Sequence, residues 1–269
     1  MAWVEQLPND TYSGDTLIVA GDITHILSKL EQTLRIFKSK FKEVYYCPGN
    51  HELWISSNDT DLGIKDSVSK FFHILELCEE IGVHTRTGIS EGVTIVPLFG
   101  WYDESLHIPM PEVVSDITLW TDYHLCKWTE EVPREGAAKY FVQLNTAHMP
   151  NPLDTTKVIT FSHFFTSRKL MNAYGDEMRR RRKEIQKTAQ QLKQEQDTVR
   201  ANFSLVAGTD LFDKQIELLH SLVHIFGHSH RKMQVEIDGT RYINNPLGYT
   251  YERAAGLIAP PHDLLQIDI

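Results

Sequence analysis

The chain carries only three cysteines in 269 residues, Cys47, Cys78 and Cys126. They are odd in number and share no paired spacing, which argues against a Cys-ligated structural metal site or a disulfide framework and suits a reducing compartment. Basic charge is also in short supply: 27 Lys and Arg stand against 36 Asp and Glu, for a formal net charge of −9. That balance disfavours a sequence-independent nucleic-acid surface or an anionic membrane as partner. No stretch approaches the about 18 apolar residues of a membrane span. The opening MAWVEQLPND has neither the basic nor the apolar part of a secretory leader. No membrane partner and a cytoplasmic address are therefore expected. Internal repeats and low-complexity linkers are missing too, so a single domain over residues 1–269 with one sizeable core is the reading that the length favours.

What is present is an alternation of short apolar runs and amphipathic stretches. Thr16–Ala20 (TLIVA) is a continuous apolar run, the pattern of a strand covered on both faces. Leu27, Leu30, Leu34, Phe37 and Phe41 recur at helical spacing, and Glu43–Cys47 (EVYYC) reads as the next strand, closed by Pro48-Gly49. Strand, helix, strand in that order predicts a parallel pair with a right-handed crossover. A further helix is expected around Val68–Cys78, and strands at Val93–Trp101, Lys157–His163 and in VHIFGHSH. Leu211–Leu222 reads as a helix, and MQVEIDGTRYI as a hairpin turning at Asp238-Gly239. Residues 102–155, punctuated by Pro109, Pro111, Pro133, Pro150 and Pro152, predict a cap of loops and short helices. Residues 176–200 predict an exposed charged helix whose thin apolar line is Ile185, Leu192 and Val199.

Four strand ends carry chemistry: Gly21-Asp22, Gly49-Asn50-His51-Glu52, Ser162-His163 and Gly227-His228-Ser229-His230. In an α/β sheet, loops at the carboxyl ends of neighbouring strands converge on one crevice. A carboxylate, an amide oxygen and imidazoles, without thiolate, suit hard and borderline divalent ions. Taken singly, Gly-Asp is an ordinary turn, His-Ser-His is compatible with a surface loop, and His163 with a hydrogen-bonded core histidine. In this order and spacing they resemble the calcineurin-like metallophosphoesterases, whose pattern is D-x-H, G-D, G-N-H-D/E, a lone His, then G-H-x-H. WYDES at 101–105 and RYINNPLGY at 241–249 add weaker likeness to one branch of that family.

The resemblance implies an α/β fold, a four-layer α/β/β/α sandwich with mixed β-sheets, and hydrolysis of a phosphoester by a metal-activated hydroxide. It makes Asp22 the carboxylate bridging two divalent ions, of manganese, iron, zinc or magnesium. Asn50, His163 and His228 would join Asp22 on one ion, and His230 would serve the other. His51 would contact the substrate phosphate beside Asn50 and protonate the leaving oxygen. Arg168 and Lys169, just past His163, stand where they could reach a phosphate or belong to a solvated loop. His25 and His107 are reserves for a second ion. Trp101 and Tyr102 are read as core or pocket wall, and Arg179–Arg182 as a solvated face or a partner-binding one.

The family's first block has no counterpart: neither Asp10 nor Asp15 is followed two positions on by histidine, and residues 1–15 hold no apolar run fit for a central strand. The expectation is therefore a chain that lacks its first strand, with Met1 an internal methionine, one ion or none retained, and weak or no activity. The rival reading is a non-catalytic scaffold on the same fold, like the retromer subunit that resembles this family, binding protein partners. The phosphoester itself is not legible in the sequence.

Overall fold

The apolar alternation read from the sequence builds two sheets in a computed structural model that describes residues 2–110, 113–151, 157–189, 201–258 and 263–269. Helix α1 (Ala2–Gln6) leads into strand β1 (Thr16–Val19), helix α2 (Leu27–Lys40) and strand β2 (Glu43–Tyr46). The two strands pair in parallel, Thr16 opposite Glu43 and Val19 opposite Tyr46, so the expected strand-helix-strand unit is present. α2 buries Leu27, Leu30, Leu34 and Phe37 on one stripe, and Lys38 and Lys40 close its last turn, where cations complement the helix dipole. Two helices follow, α3 (Ser57–Asp61) and α4 (Ser67–Glu80). The latter is capped by Asp66, which accepts from the Ser69 N–H.

The remaining strands form a six-stranded sheet: β3 (Gly88–Ser90), β4 (Val93–Pro97), β5 (Val158–Phe161), β6 (Val223–Ile225), β7 (Met233–Ile237) and β8 (Thr240–Asn244), in the order β3-β4-β5-β6-β8-β7. Its four inner strands run parallel and the two edges antiparallel. Helices α5 (Thr121–Leu125), α6 (Ala137–Thr146), α7 (Arg168–Ala189), α8 (Leu211–Leu218) and α9 (Thr250–Ala254) complete the order. Along β2 the side chains alternate. Val44 and Tyr46 join the cluster under α1, α2 and α4, while Tyr45 enters the principal core with Val96, Phe161 and Phe226. The architecture is α/β, with one parallel pair and one mixed six-stranded sheet.

Several expectations shift in detail. The strand at 93–101 leaves the ladder after Pro97, and Leu98–Trp101 continue as an irregular buried segment. Segment 102–155 is more than an edge covering where it is described. Leu106, Cys126, Val132, Ala137, Ala138 and Phe141 all belong to the principal core. α6 lies within the expected cap of loops and short helices. α7 begins earlier than the expected charged helix, and residues 190–200 of that expectation, with Leu192 and Val199, lie outside the described residues, as do 111–112 and 152–155 of the cap. Among the described residues no strand pairs with the outer edge of β1. Near it, Thr16 Oγ1 meets Ser90 Oγ at 2.7 Å, and Leu264 and Ile267 pack against the two smaller clusters. Among the described residues no helix is long and apolar enough to cross a membrane.

One core residue sets a pH dependence. His224 on β6 is fully buried, its Nδ1 2.8 Å from Thr160 Oγ1 and its Nε2 3.1 Å from Ser162 Oγ. Burial pushes its pKa from 6.5 down to about 3. The folded state thus holds the ring neutral while the unfolded chain takes up a proton below 6.5. The stability this contributes is complete above 6.5 and is lost as pH falls toward 3, at about 1.4 kcal/mol per pH unit. His224 is expected to account for about 2 kcal/mol of the fall in unfolding free energy between pH 7.5 and pH 5, read from the urea midpoint. In His224→Gln this drop should shrink, and an equal drop in both proteins would refute the assignment.

Candidate metal centre

Each of the four blocks follows a strand of one of the two sheets and presents its polar group just past the strand's carboxyl end. β1 runs into Gly21-Asp22, β2 into Gly49-Asn50-His51, β5 into His163, and β6 into Gly227-His228. The approach is close enough to require glycine. A Cβ on Gly49 would lie 2.3 Å from Asp22 Oδ1 and 2.9 Å from His163 Cγ. Asp22, His228 and His230 all take positive φ, 59°, 66° and 50°, a region that costs a non-glycine residue energy and recurs at functional sites.

Glu52 joins the first two loops. It is fully buried, and its Oε2 accepts from the backbone N–H of Asp22 (2.9 Å) and of Gly49 (2.7 Å) while Oε1 accepts from Thr24 N–H (3.0 Å). Its pKa is raised by burial and by the Asp22 charge, against the pull of the Thr24 and Gly49 donors. Asp22 in turn accepts from the His51 N–H through Oδ1 at 3.1 Å.

The functional atoms converge on His163 Nε2. Asn50 Oδ1 lies 3.0 Å from it, His228 Nδ1 3.2 Å and Asp22 Oδ2 3.3 Å. Backbone carbonyls fix both rings: His163 Nδ1 donates to Ala20 O at 2.8 Å, and His228 Nε2 to Val206 O at 2.9 Å. With those protons committed, the inward-facing atoms of two neutral imidazoles, an amide oxygen and a carboxylate oxygen all present lone pairs. Either His163 becomes an imidazolium or a cation sits among them. Asp22, His163 and His228 have one donor atom each within 4.8 Å of one another, a spacing that a single metal ion spans. The residues present therefore fit a divalent cation of the N/O-preferring kind.

The electrostatics have the same sense. Burial works against the Asp22 carboxylate, yet the imidazoles of His163, His51 and His228 hold it well below the usual carboxylate range. Burial opposes a proton on His163, and the Asp22 carboxylate beside it overrides this and raises its pKa. His228, buried and next to His163, is pushed down to about 3 and stays neutral, as a ligating imidazole must.

His51 sits at the rim. Its ring stacks on Trp54 at 3.8 Å, and its Nε2 lies 3.2 Å from Tyr249 Oη and 3.7 Å from Asp22 Oδ2. His230 is turned to Glu252, Nδ1 to Oε2 at 2.8 Å, and is outside the three-residue group formed by Asp22, His163 and His228. The Arg168 guanidinium is taken up by the carbonyl oxygens of His107 and Ser105. Lys169 pairs with Asp238. His25 stands against Trp54, ring centroids 5.7 Å apart, and its carbonyl accepts from Lys70. Sequence reasoning passed over Glu52, Trp54, Asp122, Tyr249 and Glu252. Only Glu52 and Tyr249 lay inside quoted motifs, and no spacing marks Asp122.

Comparison with known proteins bears on the family and the fold. The profile of the family described as calcineurin-like phosphoesterase matches residues 1–232. The acyl-carrier-protein phosphodiesterase PptH of Mycobacterium tuberculosis is 34% identical over 98 residues, which are 34% of this chain and 30% of that protein. The match thus spans under a third of that relative's length. The crystal structure of phosphopantetheinyl hydrolase (PptH) from Mycobacterium tuberculosis superposes with a TM-score of 0.69 at 22% identity, covering 94% of this chain and 86% of that one. The fold is shared between them.

Removing the Glu52 carboxylate should loosen the two loops it joins. Glu52→Ala leaves three backbone donors, that of Gly49 buried and those of Asp22 and Thr24 partly so, without an acceptor, a loss on the order of 4 kcal/mol in urea unfolding. Glu52→Gln keeps one acceptor oxygen and should fall between it and the wild type. A Gln variant as unstable as the Ala variant would contradict the clamp.

Proposed function

From the chain's place in the calcineurin-like phosphoesterase family, to which it belongs, we propose that it hydrolyses phosphoesters at the Asp22–Asn50–His163–His228 centre. The observation that carries this is the convergence of four lone-pair donors on one point, with an imidazole, His51, stacked at its edge. Asp22, Asn50, His163 and His228 would hold one divalent ion, manganese, iron, zinc or magnesium. His230, oriented by Glu252, would contribute to a second ion with Asp22 as the bridge. Such ions, when bound, polarise phosphoryl oxygens and acidify water.

The chain's own groups do the rest. The amide of Asn50 and the imidazole of His51 face the position of a substrate phosphate, and Asp22, hydrogen-bonded to the His51 backbone, keeps the two blocks in register. A water oxygen bonds to phosphorus as the ester P–O bond breaks; His51, entering as the imidazolium, delivers its Nε2 proton to the departing oxygen, which leaves poorly as an alkoxide, and the proton released by the attacking water passes to solvent, from which the ring is reprotonated. Tyr249 Oη, 3.2 Å from that nitrogen, orients the ring. The described residues are read as one domain. Free, buried thiols at Cys47, Cys78 and Cys126 support a cytoplasmic address. Because the PptH relative is named for a phosphodiester on acyl carrier protein, a phosphopantetheinylated carrier protein is the substrate to assay first.

Weak hydrolysis of a phosphodiester by the purified chain, whose sequence holds no counterpart of the D-x-H block, is expected with added manganese and should be abolished by a chelator. Asp22→Asn should remove it. His51→Gln should lower kcat by about a hundredfold or more for an alkyl leaving group and by much less for an activated aryl one. Equal losses for both leaving groups would refute His51 as the proton donor. Full activity in Asp22→Asn would refute the centre.

A further inference from the structure

The orientation of the Asn50 amide is set from outside the four motif blocks. Its Nδ2 donates to Asp122 Oδ1 at 2.8 Å, and the indole Nε1 of Trp54 donates to the same oxygen at 2.6 Å. Asp122 is buried, on the first turn of α5. That short helix is tied to the stretch after Trp54 by a backbone bond from Ile55 N to Leu125 O (2.9 Å), and the residues after it are tied to the start of α4 by one from Ser67 N to Lys127 O (2.8 Å). A single carboxylate oxygen thus holds both the amide that faces His163 and the ring on which His51 stacks.

The chemistry explains why an acceptor is needed there. An asparagine amide has two orientations of nearly equal shape. With Nδ2 outward, Oδ1 meets His163 Nε2 and adds its lone pairs to the cluster. Turned over, Nδ2 would donate to His163 Nε2, satisfying the cluster internally and leaving a cation one ligand short. Turned over, Oδ1 would also replace Nδ2 opposite Asp122 Oδ1, so the hydrogen bond seen there would be lost to an oxygen–oxygen contact. We propose that Asp122 is a positioning residue that locks Asn50 in its ion-binding orientation and, through Trp54, seats His51 over the same centre. The assignment rests on the proposed metal centre.

The test is manganese binding by the full chain, read from the electron paramagnetic resonance of free ion, with no turnover involved. Asp122→Ala is expected to weaken binding about 10- to 100-fold, the range for losing a group that orients a ligand. Asp122→Asn, whose Oδ1 still accepts both protons, should recover several-fold of that loss. Val132→Ala, a truncation in the same core at no site contact, controls for general loosening and should bind as the wild type does. In the ion-free protein the indole N–H resonance of Trp54, identified with Trp54→Phe, should shift in Asp122→Ala and stay near its place in Asp122→Asn. Unchanged affinity in Asp122→Ala, or an Asn variant no better than the Ala variant, overturns the proposal. A wild type that binds no manganese overturns the metal centre itself, and is recognised because every variant is then equally silent.

Discussion

The site depends on one buried carboxylate that never meets a ligand. Glu52 collects backbone donors from Asp22, Thr24 and Gly49, and so joins the loop after β1 to the loop after β2. A buried anion is tolerable only when such donors replace its water, and three oriented N–H groups do so. Once the loops are held that close, the absence of a side chain at Gly49 becomes mandatory, since Asp22 Oδ1 fills the place of its Cβ. Asp22 follows into a left-handed backbone conformation with its carboxylate aimed at the imidazoles.

Two carboxylates lie close together here, and their surroundings drive them apart. Glu52 sits among backbone amides, and burial together with the neighbouring Asp22 charge raises its pKa. Asp22 faces His163, His51 and His228, which keep it ionised. The negative charge available to a ligand is therefore concentrated on the Asp22 oxygens, beside rings whose remaining nitrogens are fixed by the Ala20 and Val206 carbonyls. Environment divides one pair of like residues into a structural acceptor and a ligand, a pattern common to sites where carboxylates differ in role.

Much of this was legible in the sequence because it is local. Apolar runs ended by glycine gave β1 and β2, Asp238-Gly239 gave the β7–β8 hairpin, and the order of Gly-Asp, Gly-Asn-His-Glu, His163 and Gly-His-Ser-His pointed to one crevice. The unread parts are those whose meaning is tertiary. β3 is three residues long and is a strand only because β4 lies beside it. Asp122 is an unremarkable acid in a proline-punctuated stretch until folding brings it 2.8 Å from Asn50. Arg168 stands close to His163 in sequence, which leaves a phosphate contact and a solvated loop both open, and only the fold shows its guanidinium at the carbonyls of Ser105 and His107. Sequence shows which groups end strands; it does not show which groups steer them.

The balance between enzyme and scaffold turns on cost. Asp22, His228 and His230 adopt positive φ, each worth on the order of 1 kcal/mol against a relaxed turn. The lone pairs facing one another around His163 require either a proton on that ring or a cation among them, a demand that apolar packing would not make. Against a net stability of about 5–15 kcal/mol for a domain, such a centre is a substantial burden. A fold used only to display a surface would gain by relaxing those turns and filling the crevice with apolar side chains. Strained ligand turns and a clamp that holds them are a cost that binding of a cation at the proposed centre would offset.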